Sequence, residues 1–187
     1  MRNRPSVILL IAAALMLAAS CGEDPQATAI EEDGIQWPDM TSRDDVIKVV
    51  VLCYENPRDA ESEAQYSAIL HSQYFFMLHD SDVLSGESPI ISRSEEILLA
   101  EELFETHTIL ELTVTETGSW SERNDLEGGA CENCWETRRQ YFIRTQFGDD
   151  ATIYQSYTDG AFVQIIVAPD ENDSSRWVLR AMYDLGI

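Results

Sequence analysis

Lysine is nearly absent. The 187-residue chain holds one, Lys48, among 12 basic residues, against 34 acids, for a formal net charge of −22. A chain so short of bases has no basic footprint for phosphate contacts, which excludes a nucleic-acid binder. The same shortage excludes attachment to anionic lipid through surface charge. Histidine is also scarce: His71, His79 and His107 are all there are. None of them lies near the cysteine pair at 131 and 134, so the sequence shows no metal-ligand pattern and points to no cofactor. No apolar run reaches the about 20 residues that a membrane-spanning helix needs.

What is present begins with an N-terminal signal. Arg2 and Arg4 precede an unbroken apolar run from Val7 to Leu17, and the small residues Ala18-Ala19-Ser20 follow. This basic, apolar and small order is that of a secretory leader. The junction Leu17-Ala18-Ala19-Ser20-Cys21 resembles the bacterial lipoprotein box, in which signal peptidase II cuts before a cysteine that becomes acylated. The resemblance implies that residues 1–20 are removed and that acyl chains on Cys21 attach the protein to a membrane. Two or more chains anchor stably, at about 0.8 kcal/mol per buried CH₂. Gly22 stands where the enterobacterial sorting rule reads Asp as an inner-membrane signal, which implies the outer membrane, facing the periplasm or the cell surface. The alternative is an ordinary secreted protein with a cysteine near its new N-terminus. Loss of the leader removes Arg2 and Arg4 and no acid, so the charge moves from −22 to −24.

Residues 21–41 are polar and acidic, with Pro25 and Pro38 and no apolar period, and read as a flexible tether. Ile35 and Trp37 are the residues there that can dock on a domain. Residues 42–187 form one domain by length. Thr41 or Ser42 can cap a helix through Val46–Tyr54, with a strand as the alternative because the segment is β-branched, and Asn56-Pro57 ends it. A second helix is expected from about Asp59 to Leu70, carrying Tyr66, Ile69 and Leu70 on one stripe, and then a strand over Gln73–Leu78. Ser81–Pro89 reads as loop. Ser92 and Glu95 form a capping box for a third helix to about Thr106. Beyond it, Thr108–Thr117 and Trp135–Phe147 alternate with a period of two. Gly118–Ala130 reads as loop and Gly148-Asp149-Asp150 as a tight turn. Ala151–Ala168 reads as one strand bulged at Asp159-Gly160, or as a hairpin there, and Arg176–Leu185 as the last strand. The fold class is α+β: three N-terminal helices packed on a curved antiparallel sheet of four or more strands.

The residues themselves resemble the nuclear-transport-factor-2-like domain, also called cystatin-like, in the form carried by uncharacterised bacterial envelope lipoproteins. Cys53-Tyr54-Glu55-Asn56-Pro57-Arg58, Tyr66-Ser67-Ala68-Ile69-Leu70 with Tyr74-Phe75-Phe76, Glu95-Glu96 with Leu103-Phe104, and Trp177 through Asp184 carry the likeness. The resemblance implies a cone between helices and sheet that serves some members as an enzyme pocket and others as a ligand or partner site. It names Tyr54, Tyr66, Tyr74, Tyr141 and Trp177 as candidate pocket residues. A buried Asp with Tyr or His performs proton transfer in isomerases and cyclases of the fold, so His79 and Asp184 are the catalytic candidates, and neither has a diagnostic spacing.

Cys131-Glu132-Asn133-Cys134 is the most specific local motif. Outside the cytoplasm the pair is expected to oxidise to a structural disulfide. A redox role wants the motif at a helix start, a haem needs His where Trp135 stands, and zinc needs further ligands. Cys53, in an apolar helix, reads as a buried free thiol. The functional expectation is a membrane-tethered, non-enzymatic module for a small apolar ligand or an envelope protein. An isomerase- or cyclase-like enzyme, and a redox or metal role for the CxxC motif, are the alternatives. Mass spectrometry of the protein isolated from membranes is expected to find the chain starting at an acylated Cys21; a terminal cysteine without acyl mass contradicts the lipoprotein reading.

Overall fold

The computed structural model describes residues 34–127, 129–147, 153–155 and 161–186. The leader, Cys21, most of the acidic segment, the Gly148–Asp150 turn and Asp159-Gly160 lie outside the described residues. Helix α1 (Arg43–Glu55) starts at a capping box: Ser42 Oγ accepts from the Asp45 N–H and the Asp45 carboxylate accepts from the Ser42 N–H. Buried Val46, Val49 and Cys53 repeat at helical spacing, so cap and period together override the strand preference of the valines. Asn56 closes the helix, its N–H and its side-chain amide both donating to Leu52 O, and Pro57 prevents continuation. Helix α2 (Ser62–Ile69) begins three residues later than expected. Asp59 explains the delay: its side chain accepts from the Glu61 N–H and holds a turn there.

Strand β1 (Leu70–Met77) follows at once, then a single 3₁₀ turn at Asp80–Asp82, the short strand β2 (Ile90–Ser92) and helix α3 (Arg93–Thr106). Ser92 and Glu95 make the expected capping box. The remaining strands are β3 (His107–Glu116), β4 (Ser121–Leu126), β5 (Gly129–Phe147), β6 (Ile153–Gln155), β7 (Ala161–Pro169) and β8 (Trp177–Asp184). They form one sheet in the order β2-β1-β8-β7-β5-β3, with β4 and β6 also paired to β5.

Two expectations are corrected. The sheet is mixed, because β1 runs parallel to β8, with Phe75 opposite Ala181 and Met77 opposite Tyr183. A long connection through α3 carries the chain to the far edge of the sheet, and the last strand returns beside the first in the same direction. The stretch expected as a loop before Ala130 contains β4, whose sequence SERNDL has no apolar alternation; its pairing is imposed by β5.

The cysteine pair lies within β5, where Ala130 faces Asp125 and Cys134 faces Arg123, so the partner strand has fewer residues between these pairs. The Cys131–Cys134 disulfide closes this bulge, and Asn133 takes the left-handed backbone conformation at φ 58°. Both sulfurs lie in a small core with Leu126, Phe75, Ile166 and Ala181 on the sheet face opposite the main core.

The main core gathers α1 and α2 against Val163, Ile165, Val167 and Leu179. It reaches ahead of Ser42: Met40 is buried, its carbonyl accepts from the Trp177 N–H, and Trp37 packs alongside. Arg43 fastens the start of α1, its guanidinium 3.9 Å from the Trp135 ring centroid and within 5.6 Å of those of Trp120 and Trp177. Cys53 is free, and burial pushes its thiol up to about 12. Leu179 is 1 % exposed and Leu98 63 %. Leu179→Ala is therefore expected to lower unfolding free energy by about 2–5 kcal/mol, and Leu98→Ala to change it by less than about 0.5 kcal/mol. Urea titration of both variants checks this.

Candidate functional site

A cavity of about 310 Å³ opens between the helices and the concave side of the sheet. Helix α1 presents Val46, Val50 and Tyr54, one turn apart on one stripe, and α3 presents Glu96, Ala100 and Leu103 at the same kind of spacing. The sheet supplies Leu112 and Val114, Tyr141 and Ile143, Val163 and Ile165, and Met182 with Asp184, each pair two residues apart on one face of its strand. Leu99 also lines the cavity while remaining 48 % exposed, which places the opening beside α3. A cavity of about 150 Å³ takes benzene, so this one has room for about a dozen non-hydrogen atoms.

The wall is apolar except for the phenols of Tyr54, Tyr66 and Tyr141 and the carboxyls of Asp184 and Glu96, the last of them half-buried. Tyr66, on α2, donates from its hydroxyl to Glu96 Oε1 at 2.6 Å. Behind this bond Tyr54, Tyr66 and Phe104 meet edge to face, with centroids 5.5–6.0 Å apart. Burial raises the Glu96 carboxyl above its ordinary value, and the Tyr66 bond only partly offsets this. Burial also raises the phenols of Tyr54, Tyr66 and Tyr74, so all three remain protonated donors near neutral pH. A carboxyl held in this way can donate a hydrogen bond while neutral and accept a proton or pair with a cation while ionised.

Tyr54, Tyr66, Tyr141 and Asp184 line the cavity. Tyr74 sits in the core beside Glu96 rather than on the wall, and Trp177 belongs to the cage around Arg43. His79 stands outside the lining. Its Nδ1 accepts from the Ser81 N–H, and its ring packs against Gly186, whose N–H donates to Asp184 Oδ1 at 2.9 Å. His71 pairs with Glu171 at 3.3 Å, in a separate polar cleft, and His107 Nδ1 is 2.9 Å from Leu103 O. The structure therefore places Asp184 at the cavity without His79. Glu96 is the residue that sequence reasoning passed over. Its signal was its position, four residues before Ala100 and seven before Leu103, which puts an acid on the apolar stripe. Among the described residues no three His, Cys, Asp or Glu side chains gather as a metal-binding group, and no helix is long and apolar enough to cross a membrane.

No protein-family model matches the chain, and no curated protein matches it. Solved structures do. A candidate aromatic ring hydroxylase from Novosphingobium aromaticivorans superposes with a TM-score of 0.56 at 9 % identity, over 81 % of this chain and 94 % of that one. A candidate dehydratase of the nuclear-transport-factor-2-like family from Streptomyces avermitilis gives 0.53 at 8 % identity, over 80 % and 96 %. A nuclear-transport-factor-2-like superfamily protein from Salmonella enterica serovar Typhimurium gives 0.50 at 9 % identity, over 76 % and 86 %. At these identities the likeness shows the fold: nuclear-transport-factor-2-like α+β, with three helices against a curved mixed sheet.

The Glu96 carboxyl gives a pH signature. Its folded-state pKa lies above the unfolded one, so its contribution to stability is complete below the ordinary carboxyl range and is lost as pH rises through the folded value. Glu96→Gln should remove that loss. The variant is expected to gain stability relative to the parent as pH rises from the ordinary carboxyl range toward neutrality, as read from denaturant midpoints. A difference that does not change with pH contradicts the burial of an ionisable group at this position.

Proposed function

We propose that this nuclear-transport-factor-2-like domain binds a small, mainly apolar ligand in the cone without transforming it, while acyl chains on Cys21 tether it to the bacterial envelope, in the outer membrane. The observation that carries the reading is the cavity itself: a roomy apolar chamber, open beside Leu99, with a polar anchor at Glu96 and Tyr66. Few precisely placed polar groups on an apolar wall are the usual composition of a small-molecule site. The tether follows from the lipoprotein-like junction at Cys21. The acidic surface would then hold the domain off anionic lipid, leaving the acyl chains as the attachment.

A second reading has its own observation. A carboxyl raised by burial inside a cavity is suited to general acid–base work. Two of the structural neighbours are described as a candidate hydroxylase and a candidate dehydratase. On that reading Glu96, rather than His79, is the proton-transfer group, and Glu96→Gln stops turnover while ligand binding survives.

Indole is a fitting first probe, because it is apolar, small enough for the cavity and carries one N–H donor. Titration calorimetry should detect its binding to the parent protein. Ala100→Trp, which fills the cavity from α3, should weaken it by about tenfold or more while the far-ultraviolet circular dichroism is retained. No binding to the parent, or equal binding to both proteins, contradicts the cavity as the ligand site.

A further inference from the structure

Resting on the ligand-binding reading above, we infer that the ligand is a small lipophilic amine, with an aromatic or alkyl body and one cationic nitrogen directed at Glu96. The charge of the wall is one-sided: Glu96 and Asp184 line the cavity, and no Arg, Lys or His does among its described residues. Glu96 is half-buried, its hydrogen-bond partner is the neutral Tyr66, and no basic side chain among the described residues pairs with it. A carboxylate drawn partly out of water with no cation beside it is a costly arrangement, and a cationic group in the cavity relieves it.

Three further observations fit the same nitrogen. An ammonium group has three donors, so it can bond a Glu96 carboxylate oxygen and still meet a phenol oxygen of Tyr54 or Tyr66, which line the same wall. Tyr54, Tyr66, Phe76 and Tyr141 add aromatic rings to the wall, and ring faces attract cations. The chain as a whole, at −22, concentrates small cations around itself and repels small anions. A neutral alcohol or ketone bonded to a protonated Glu96 would need none of these features beyond the carboxyl.

The test uses the whole mature chain and three probes of one skeleton: 2-phenylethylamine, 2-phenylethanol and phenylacetate, titrated by calorimetry at pH 7.5 in physiological salt. The amine is expected to bind about tenfold or more tightly than the alcohol, with phenylacetate weakest. In Glu96→Gln the amine should lose about tenfold while the alcohol stays within about twofold. That contrast separates a bonded nitrogen from general attraction to an acidic protein, which the substitution barely alters. Should the variant misfold, Ala100→Trp serves instead: it keeps every charge of the protein and fills the cavity, so a general attraction to the acidic chain survives in it and an amine preference set in the cavity does not. Glu96 faces Tyr66 from α2, Tyr54 from α1 and Tyr74 from β1, and Asp184 is the other acid of the wall. The phenols stay neutral, so lowering the pH on the parent discharges Glu96 with the other carboxyls of the chain and should erase the preference for the amine as well. An alcohol that binds as tightly as the amine, or an amine preference that survives both Glu96→Gln and acidification, overturns the inference and leaves ligand binding standing. If none of the three probes nor indole binds, the binding reading falls with it.

Discussion

The 19 residues of strand β5 pair with β4 and then β3 along one edge, and with β7 and then β6 along the other. One strand serving four partners at staggered registers cannot lie in a flat sheet, and the bulge closed by Cys131–Cys134 adds a bend at its start. Sheet twist turns this into a concave face. The helices lie across that face, with α1 fixed at one end by Arg43 among three tryptophans. A curved wall spanned by short, straight helices leaves a chamber between them, and the cavity is a consequence of strand pairing before it is a feature of any side chain.

The chamber carries its acids at two places, Glu96 on α3 and Asp184 on β8. Glu96 could have turned outward, as its neighbour Glu95 does in capping α3. Helical spacing directs it inward instead, toward Tyr66 on the neighbouring helix. The cost of burying a carboxyl is carried by packing around it: three aromatic rings in mutual edge contact and a core reaching back to Met40. The total charge and the local site therefore say different things. Most of the acids sit on solvated surface and bear on solubility and location, whereas Glu96 bears on what can enter the cone.

Much of the fold was legible because its signals are local. Ser42 and Ser92 announce their helices by side-chain capping, Asn56-Pro57 ends the first, and the alternation in β3 and in the later part of β5 follows from one buried face. What was not legible is set by distant partners. The polar strand β4 exists because β5 extends past its own alternating segment, β2 is three residues long, and the parallel pairing of β1 with β8 joins segments more than a hundred residues apart. At the site, Tyr54 and Tyr66 lie on helical stripes that predict an inward direction, while Tyr74 and Trp177 are equally apolar in sequence and go to neighbouring parts of the core. Glu96 stands beside the capping residue Glu95, and only the register against Ala100 and Leu103 separates the directions of the two acids.

If Glu96 is the group that receives a cation in the cone, its titration will show it. Isotope-edited NMR of the Glu96 side-chain carboxyl, titrated with pH without and then with 2-phenylethylamine, should give a midpoint above the ordinary carboxyl value of 4.5 for the protein alone. The midpoint should fall once the amine is bound, because a cation beside a carboxyl favours its charged form. An ordinary midpoint that the amine leaves unmoved would refute this role for Glu96.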